Sequence, residues 1–489
     1  MKKYYLLSLL TLCLLGWSTV NAQFPGQRPG ASSADQPIES VTKTYALKNV
    51  NIVTQPGQMI EMGTVIVKNG LIHSVGKNVE IPVDAMVLDA DSMYVYAGFI
   101  DGLSFTGIPA PQRTAGGRSS WPKEPGNPTY AEAGVAVHKS AMDDLKVDDK
   151  SISAMRKLGF TTVHIVPRGY MLPGQGIVAN LHGKNAADMV LNGSSSIFTQ
   201  LQGSPIYRAF PSTTIGAMSM FRDLYKQAEQ AKAHEAQYAK TPSGMKRPDY
   251  DEVMKSFYPV IDGDLPIFFH TPGYKVVHQA YKLESELGFP LVLVNVKQGW
   301  HVVDKIKADN TPVFLSMELP AADKEKKAKP AMKEKATSKK KGKKSKKAEP
   351  KPEAKKEMMD PEMEAFEKRR KEALMNHEAQ AATFAKAGIS FGFTTASTKT
   401  SDIASNMRRM IKAGLTEDQA LSALTTDAAS LLGLSDVMGT VEKGKIANLI
   451  ISKGKYFDEK SKVRFVIVDG HVYEYNSDSG KAGGRPSRR

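Results

Sequence analysis

The sequence predicts an α/β protein: a (β/α)8 TIM-type barrel plus a β-sandwich domain formed from both chain ends. Three observations predict it. Short strand-like runs separated by turn residues occupy both ends of the chain. Between them, near-continuous apolar strands alternate with helical patterns, the order that gives a parallel sheet covered on both faces. The alternating stretch runs from 98 to 433, the size that closes most readily as a barrel.

The chain begins with Lys2 and Lys3, an apolar run from Tyr4 to Gly16, and small residues in Val20-Asn21-Ala22. That is the three-part pattern of a secretory signal peptide, over 1–22. The run falls short of the roughly 20 apolar residues that span a bilayer. The protein is therefore expected to be exported, periplasmic or secreted. Its single cysteine, Cys13, sits inside this run, so a processed chain would have no disulfide and no thiol ligand. Residues 23–43, rich in Pro, Gly, Ser and Ala at their start, read as a linker.

Strands follow at 45–53, 63–67 and 71–75, the last two flanking Lys68-Asn69-Gly70, a strong hairpin signal. Further strands are read at 86–90 and 94–96. The residues 44–97 and 434–475 are assigned to the composite β domain and 98–433 to the barrel. Within the barrel a helix at 153–158 leads through Gly159 into a strand at 161–166. Strands are read at 266–270, 291–296, 311–315 and 388–393, and helices at 274–287, 300–308 and 361–387. Thr416 and Gln419 have capping-box spacing, and Thr425-Thr426-Asp427 caps the next helix. Strands at 447–451 and 463–468 precede the turn Asp469-Gly470. Residues 109–134 read as a long Gly/Pro-rich loop, and Gly174-Gln175-Gly176 after Pro173 either as a tight loop able to approach a ligand closely or as a plain turn.

The formal net charge of +15 is local. Residues 323–357 hold sixteen lysines against six acidic residues and supply +10 of it; Lys2 and Lys3 supply +2, leaving +3 for the rest. The basic balance thus describes one segment, and no specific nucleic-acid binding is expected. This Lys/Ala/Glu/Pro segment is read as a disordered insertion in the barrel, as is the tail 476–489. The insertion offers a contact to an anionic polymer or a membrane surface, or it is a solvated loop.

Several spaced elements, taken together, resemble the amidohydrolase superfamily, with the imidazolonepropionase-related subgroup most similar. Such proteins carry a Pro-Gly-Phe-Ile-Asp-x-His-x-His element; here it stands as Ala97-Gly98-Phe99-Ile100-Asp101-Gly102-Leu103-Ser104-Phe105. Leu158-Gly159-Phe160-Thr161-Thr162-Val163 is similar to their second barrel strand. Their closing pattern is matched by Leu415, Ala420, Thr425, Asp427, Ala429, Leu432 and Gly433, then Gly439, Gly444, Ala447, Asn448 and Leu449. The resemblance implies a divalent metal held by two histidines after the first strand and others after the fifth and sixth, with an aspartate ending the eighth. The metal would lower the pKa of bound water and the aspartate would move the proton.

At these positions the chain departs from the pattern. The histidine pair falls on Leu103 and Phe105, the fifth-strand histidine on His270, and the sixth strand ends in Asn295-Val296. The aspartate falls on Ala396, or on Thr395 with a one-residue shift. Leu and Phe cannot coordinate a cation, and a hydrolytic site needs about three His or carboxylate ligands. His270, Asp101 and Thr395 remain as weak catalytic candidates, with His270 the one retained ligand position. His164, His301, His73, His182 and His471 form no His-x-His or His-x-x-x-His pair. Ser104, Thr394, Thr395 and Ser397 bring hydroxyls to strand ends, but a hydroxyl nucleophile needs an adjacent base, for which only His270 is a candidate.

The expectation is an exported superfamily member, of a class that hydrolyses non-peptide carbon–nitrogen bonds, that has lost its metal centre and keeps a barrel-mouth cavity for a small molecule. No cofactor is expected. The alternatives are an active zinc-type amidohydrolase with atypical ligands, and a scaffold that works through the Lys-rich insertion.

Overall fold

The hairpin signal at Asn69-Gly70 is realised because both residues take left-handed backbone, φ 51° and 81°, in the tight turn. It joins β2 (Gln58–Lys68) to β3 (Leu71–Gly76), and β2 in turn pairs antiparallel with β1 (Thr44–Gln55). Two short strands, β4 (Met86–Leu88) and β5 (Tyr94–Ala97), run parallel to β1. Leu47, Val50, Ile52, Val65, Val67 and Val95 are buried on this sheet and form one apolar cluster with residues from the other chain end. The computed structural model describes residues 36–110, 121–204, 206–321 and 361–475. The expected signal peptide, the first part of the linker, the Lys-rich insertion and the tail lie outside the described residues. Among the described residues no helix is long and apolar enough to cross a membrane.

Gly98 turns the chain from the sheet into the barrel. An added Cβ there would lie 2.1 Å from Thr161 Oγ1, so only glycine permits this approach. The barrel strands follow: β6 (Phe99–Ser104), β7 (Phe160–Ile165), β8 (Gly174–Asn180), β9 (Val190–Thr199), β10 (Ile267–His270), β11 (Leu291–Val296), β12 (Val313–Ser316) and β13 (Gly392–Thr394). They are hydrogen-bonded in sequence order. The ring approaches closure where Thr394 Oγ1 donates to Leu103 O at 2.7 Å and Ala396 N to the same oxygen at 3.2 Å.

Strand order matches the expected barrel, but direction does not throughout. β8 runs antiparallel to both β7 and β9; the other neighbouring pairs are parallel. Gly174-Gln175-Gly176, expected as a tight loop or a plain turn, is the start of β8. Its glycines serve packing rather than turning: a Cβ on Gly176 would meet His164 Nε2 at 2.5 Å and Ser196 Oγ at 2.6 Å. The loop expected over 109–134 ends in a short capped helix, Tyr130–Ala133, with Thr129 and Glu132 in a capping box. The described helices pack outside the strands, among them Thr214–Lys240, Tyr274–Leu287, Pro361–Lys386 and Ile403–Lys412.

After the helices Glu417–Leu424 and Thr426–Leu431 the chain returns to the first sheet as β14 (Leu449–Ser452), β15 (Val463–Val468) and β16 (His471–Glu474). β14 pairs antiparallel with β5, so strands from both chain ends enter one hydrogen-bonded sheet. Buried Asn448 ties that sheet to the barrel. Its Nδ2 donates to Thr162 Oγ1 and Asn180 Oδ1, its Oδ1 accepts from Asp469 N, and its carbonyl accepts from Gly98 N.

Candidate functional site

The barrel interior is built from strand residues that alternate inward. Leu103, Val166, Phe198, Phe268, Val292, Val294 and Phe314 form one buried cluster, with Phe105 and Ala396 packed against it. Phe105 stands edge-on to Phe198, ring centres 6.4 Å apart, and the Arg168 guanidinium lies 4.4 Å over the Phe105 ring. Leu103, Phe105 and Ala396 are the positions that the sequence resemblance assigns to two metal ligands and a proton-transfer aspartate. They converge, as that resemblance implies, but on apolar contacts.

Two of the weak candidates meet. Asp101 on β6 is fully buried, and its carboxylate accepts from Thr395 N at 3.0 Å, Leu103 N at 3.2 Å and the Thr395 hydroxyl. Burial pushes Asp101 up to about 7 against these hydrogen bonds, which favour the charged form. The carboxylate oxygens thus clamp the eighth strand to the first. Thr394 is likewise engaged, and Ser104 Oγ bonds Thr106 Oγ1 at 2.7 Å.

His270 ends β10, the fifth strand, as expected, but apart from the Asp101–Thr395 pair. Its Nε2 accepts from Asn295 Nδ2 at 2.8 Å, and the same amide donates to Ser397 Oγ at 2.7 Å. Ser397 and His270 are therefore bridged by an amide, not arranged as nucleophile and base. Burial, then the positive charge of Lys297, hold His270 down at about 4, so it is neutral at pH 7 and its Nδ1 carries the proton. Lys297 pairs with Glu318 across the ends of β11 and β12.

Asn295 is the residue that sequence reasoning passed over. It is fully buried, takes φ 59°, and its Oδ1 has no hydrogen-bond partner among the described residues. A non-glycine residue at positive φ at a strand end marks a locally strained position; only the Asn identity hinted at it in the sequence. The other histidines lie elsewhere. His164 is fully buried, with Nδ1 bonded to Gly102 O and Nε2 to Ser196 Oγ, both at 3.0 Å. His182 stacks on His471, ring centres 3.7 Å apart, and bonds Tyr473. Among the described residues no group of three His, Cys, Asp or Glu side chains is placed to hold a metal ion.

Comparison with known proteins gives two kinds of match. The amidohydrolase family model matches residues 313–473, about a third of the chain, from β12 to β16. An amidohydrolase from Thermotoga maritima MSB8 superposes with a TM-score of 0.66 at 21% identity, covering 88% of this chain and 100% of its own. A prolidase matches at TM-score 0.49 and 14% identity, over 88% and 100%. A beta-aspartyl dipeptidase from Fervidobacterium islandicum AW-1 matches at TM-score 0.43 and 13% identity, over 89% and 99%. At these identities the structures speak for the fold. No curated protein matches the chain.

Proposed function

For a chain whose residues 313–473 match the amidohydrolase family model, we propose membership of that superfamily with a departure from metal-dependent hydrolysis: the protein binds a small polar molecule at the barrel mouth beside His270. One observation carries this reading. The three positions where metal ligands and the proton-transfer group are expected, Leu103, Phe105 and Ala396, lie in or against one apolar cluster. Their side chains have no lone pair to offer a cation, and a metal that activates water takes about three nitrogen or oxygen ligands. The donor set does not fit the superfamily's metal. Asp101, the nearest carboxylate in sequence, already accepts three hydrogen bonds.

What remains at the mouth is hydrogen-bonding chemistry. Neutral His270, Asn295 with its unengaged Oδ1, Ser397 and the Lys297–Glu318 pair cluster at the ends of β10, β11, β12 and the segment after β13. Such convergent polar groups above an apolar floor suit a small molecule that carries both donors and acceptors. The signal-like pattern of 1–22 supports an exported protein, and the Lys-rich segment 323–357 supports a contact with an anionic polymer or membrane surface.

Metal analysis tests the proposal. The protein is exposed to Zn, Fe or Mn and passed through gel filtration, and metal per chain is measured together with the melting temperature. Substoichiometric metal and an unshifted melting temperature are expected. One retained equivalent of any of the three would overturn the reading in favour of an active amidohydrolase with an atypical ligand set.

A further inference from the structure

A cavity of about 150 Å³ lies outside the barrel strands, between the helix Ile403–Lys412 and the segment that follows β14. It is not lined by His270, Asn295, Lys297, Glu318 or Ser397 of the barrel mouth. Its walls are apolar and aromatic: Phe99 and Phe160 from the starts of β6 and β7, Met407, Leu424 and Tyr456. Phe99 stands edge-on to Tyr456 at 4.6 Å between ring centres, and to Phe160 at 5.8 Å. The Tyr456 hydroxyl donates to the carbonyl of Leu158, itself a lining residue, at 2.6 Å, so its polar end is already satisfied.

The rim is cationic. Arg408 and Lys157 both line the cavity. Arg408 is half-buried, and among the described residues it makes no hydrogen bond or ion pair; its charge nonetheless acts on Tyr456. The neighbouring Arg409 shows the contrast: it is engaged by Glu378, Asn406 and the Pro320 carbonyl. A guanidinium presents a rigid fork of donors matched to a carboxylate, so a half-buried one with no anion beside an apolar chamber leaves one half of a charge-assisted pair unfilled. A cavity of about 150 Å³ has room for a benzene ring.

We propose that this cavity is a second ligand site, for a single-ring aromatic carboxylate. The ring lies among Phe99, Phe160 and Tyr456, and the carboxylate meets Arg408, with Lys157 at the outer edge. Aromatic walls favour a planar ring through edge-to-face contact, and the cation selects an acid over its neutral isostere.

Calorimetric titration of the full chain with phenylacetate, with benzyl alcohol as the neutral comparison, tests this. Saturable one-to-one binding of phenylacetate is expected, with benzyl alcohol weaker. Arg408→Gln, which keeps most of the side-chain length on a half-exposed position, should weaken phenylacetate about tenfold or more and leave benzyl alcohol unchanged. Circular dichroism of the variant confirms that it is folded. His270→Ala should leave phenylacetate binding intact, which separates this site from the barrel mouth. Absence of saturable binding at millimolar phenylacetate, equal affinity for the alcohol, or a loss on His270→Ala with none on Arg408→Gln would each overturn the proposal.

Discussion

Asp101 shows how one side chain can be retained while its surroundings change. It sits in the strand-end motif that the sequence singled out, yet its oxygens are spent on Thr395 N, Leu103 N and the Thr395 hydroxyl. Asp101→Ala strands buried donors on two strands, and each such donor costs about 1–3 kcal/mol. A loss of about 3 kcal/mol in urea unfolding is expected. Asp101→Asn keeps an acceptor for both backbone amides and should cost far less. The pH dependence separates charge from shape. Because the folded-state pKa is raised, from 3.8 to about 7, the stability linked to the protonated form is full below pH 3.8 and lost as pH rises through 7. Asp101→Asn should therefore gain on the wild type between pH 5 and pH 8. An unchanged difference across that range would mean that Asp101 is ionised throughout. Both partners of this pair could be named from the sequence. Their contact could not, because 294 residues separate them and only barrel closure brings them together. Asn295 was less legible still: its role depends on a positive φ and on an amide placed between His270 and Ser397, which no local pattern encodes.

At the scale of elements, the barrel is shaped by one bulky ring and two glycines. Phe314 on β12 occupies the interior, and a Cβ added to Gly102 on β6 would lie 1.9 Å from its Cδ1; one on Gly392 of β13 would lie 2.4 Å from Cε1. Gly102→Ala must displace a ring held on all sides by the interior cluster, and overpacking of this kind costs about 3 kcal/mol. Phe314→Leu removes the clash while opening a cavity, so Gly102→Ala with Phe314→Leu should be more stable than the two single losses added together. Simple additivity in a urea double-mutant cycle would refute the coupling. The strands around Phe314 were readable because they are buried on both faces. Leu291–Val296 and Phe160–Ile165 are buried at every position; the first appears in the sequence as a nearly unbroken apolar run and the second as a run rich in β-branched residues. β8 and β9 were not readable for two different reasons, since β8 is buried almost throughout and β9 is not. β8 opens on Gly-Gln-Gly, which serves contact with His164 and Ser196, and the first half of β9 is largely exposed, so neither shows a hydrophobic period. The antiparallel entry of β8 follows from a short hairpin where a helical crossover was expected.

For the whole molecule, acid is the condition that bears on most of the buried chemistry at once. Burial is the largest cause holding His164, His182 and His270 down at about 4, from an ordinary 6.5. They lie in three different places: the barrel interior, the stack with His471 beside Tyr473, and the barrel mouth. A depressed folded-state pKa means that stability is full above the unfolded value near 6.5 and is lost as pH falls toward 4. Asp101 acts with the opposite sign over the same window, but it is one group against three. For fully buried His164 alone the shift corresponds to roughly 3 kcal/mol at most. Around the stacked pair, Asp188 favours protonation of His182 and Asp469 and Glu39 that of His471, while Arg156, Lys184 and Lys43 oppose it on one ring or the other. The melting temperature should therefore fall steadily from pH 7 to pH 5. His182→Gln, which retains a group able to bond Tyr473, should make that fall shallower by removing one of the three groups that bind protons only on unfolding. A melting temperature that holds constant from pH 7 to pH 5, or an equally steep fall in the variant, would show that these histidines are not buried in their neutral form in solution.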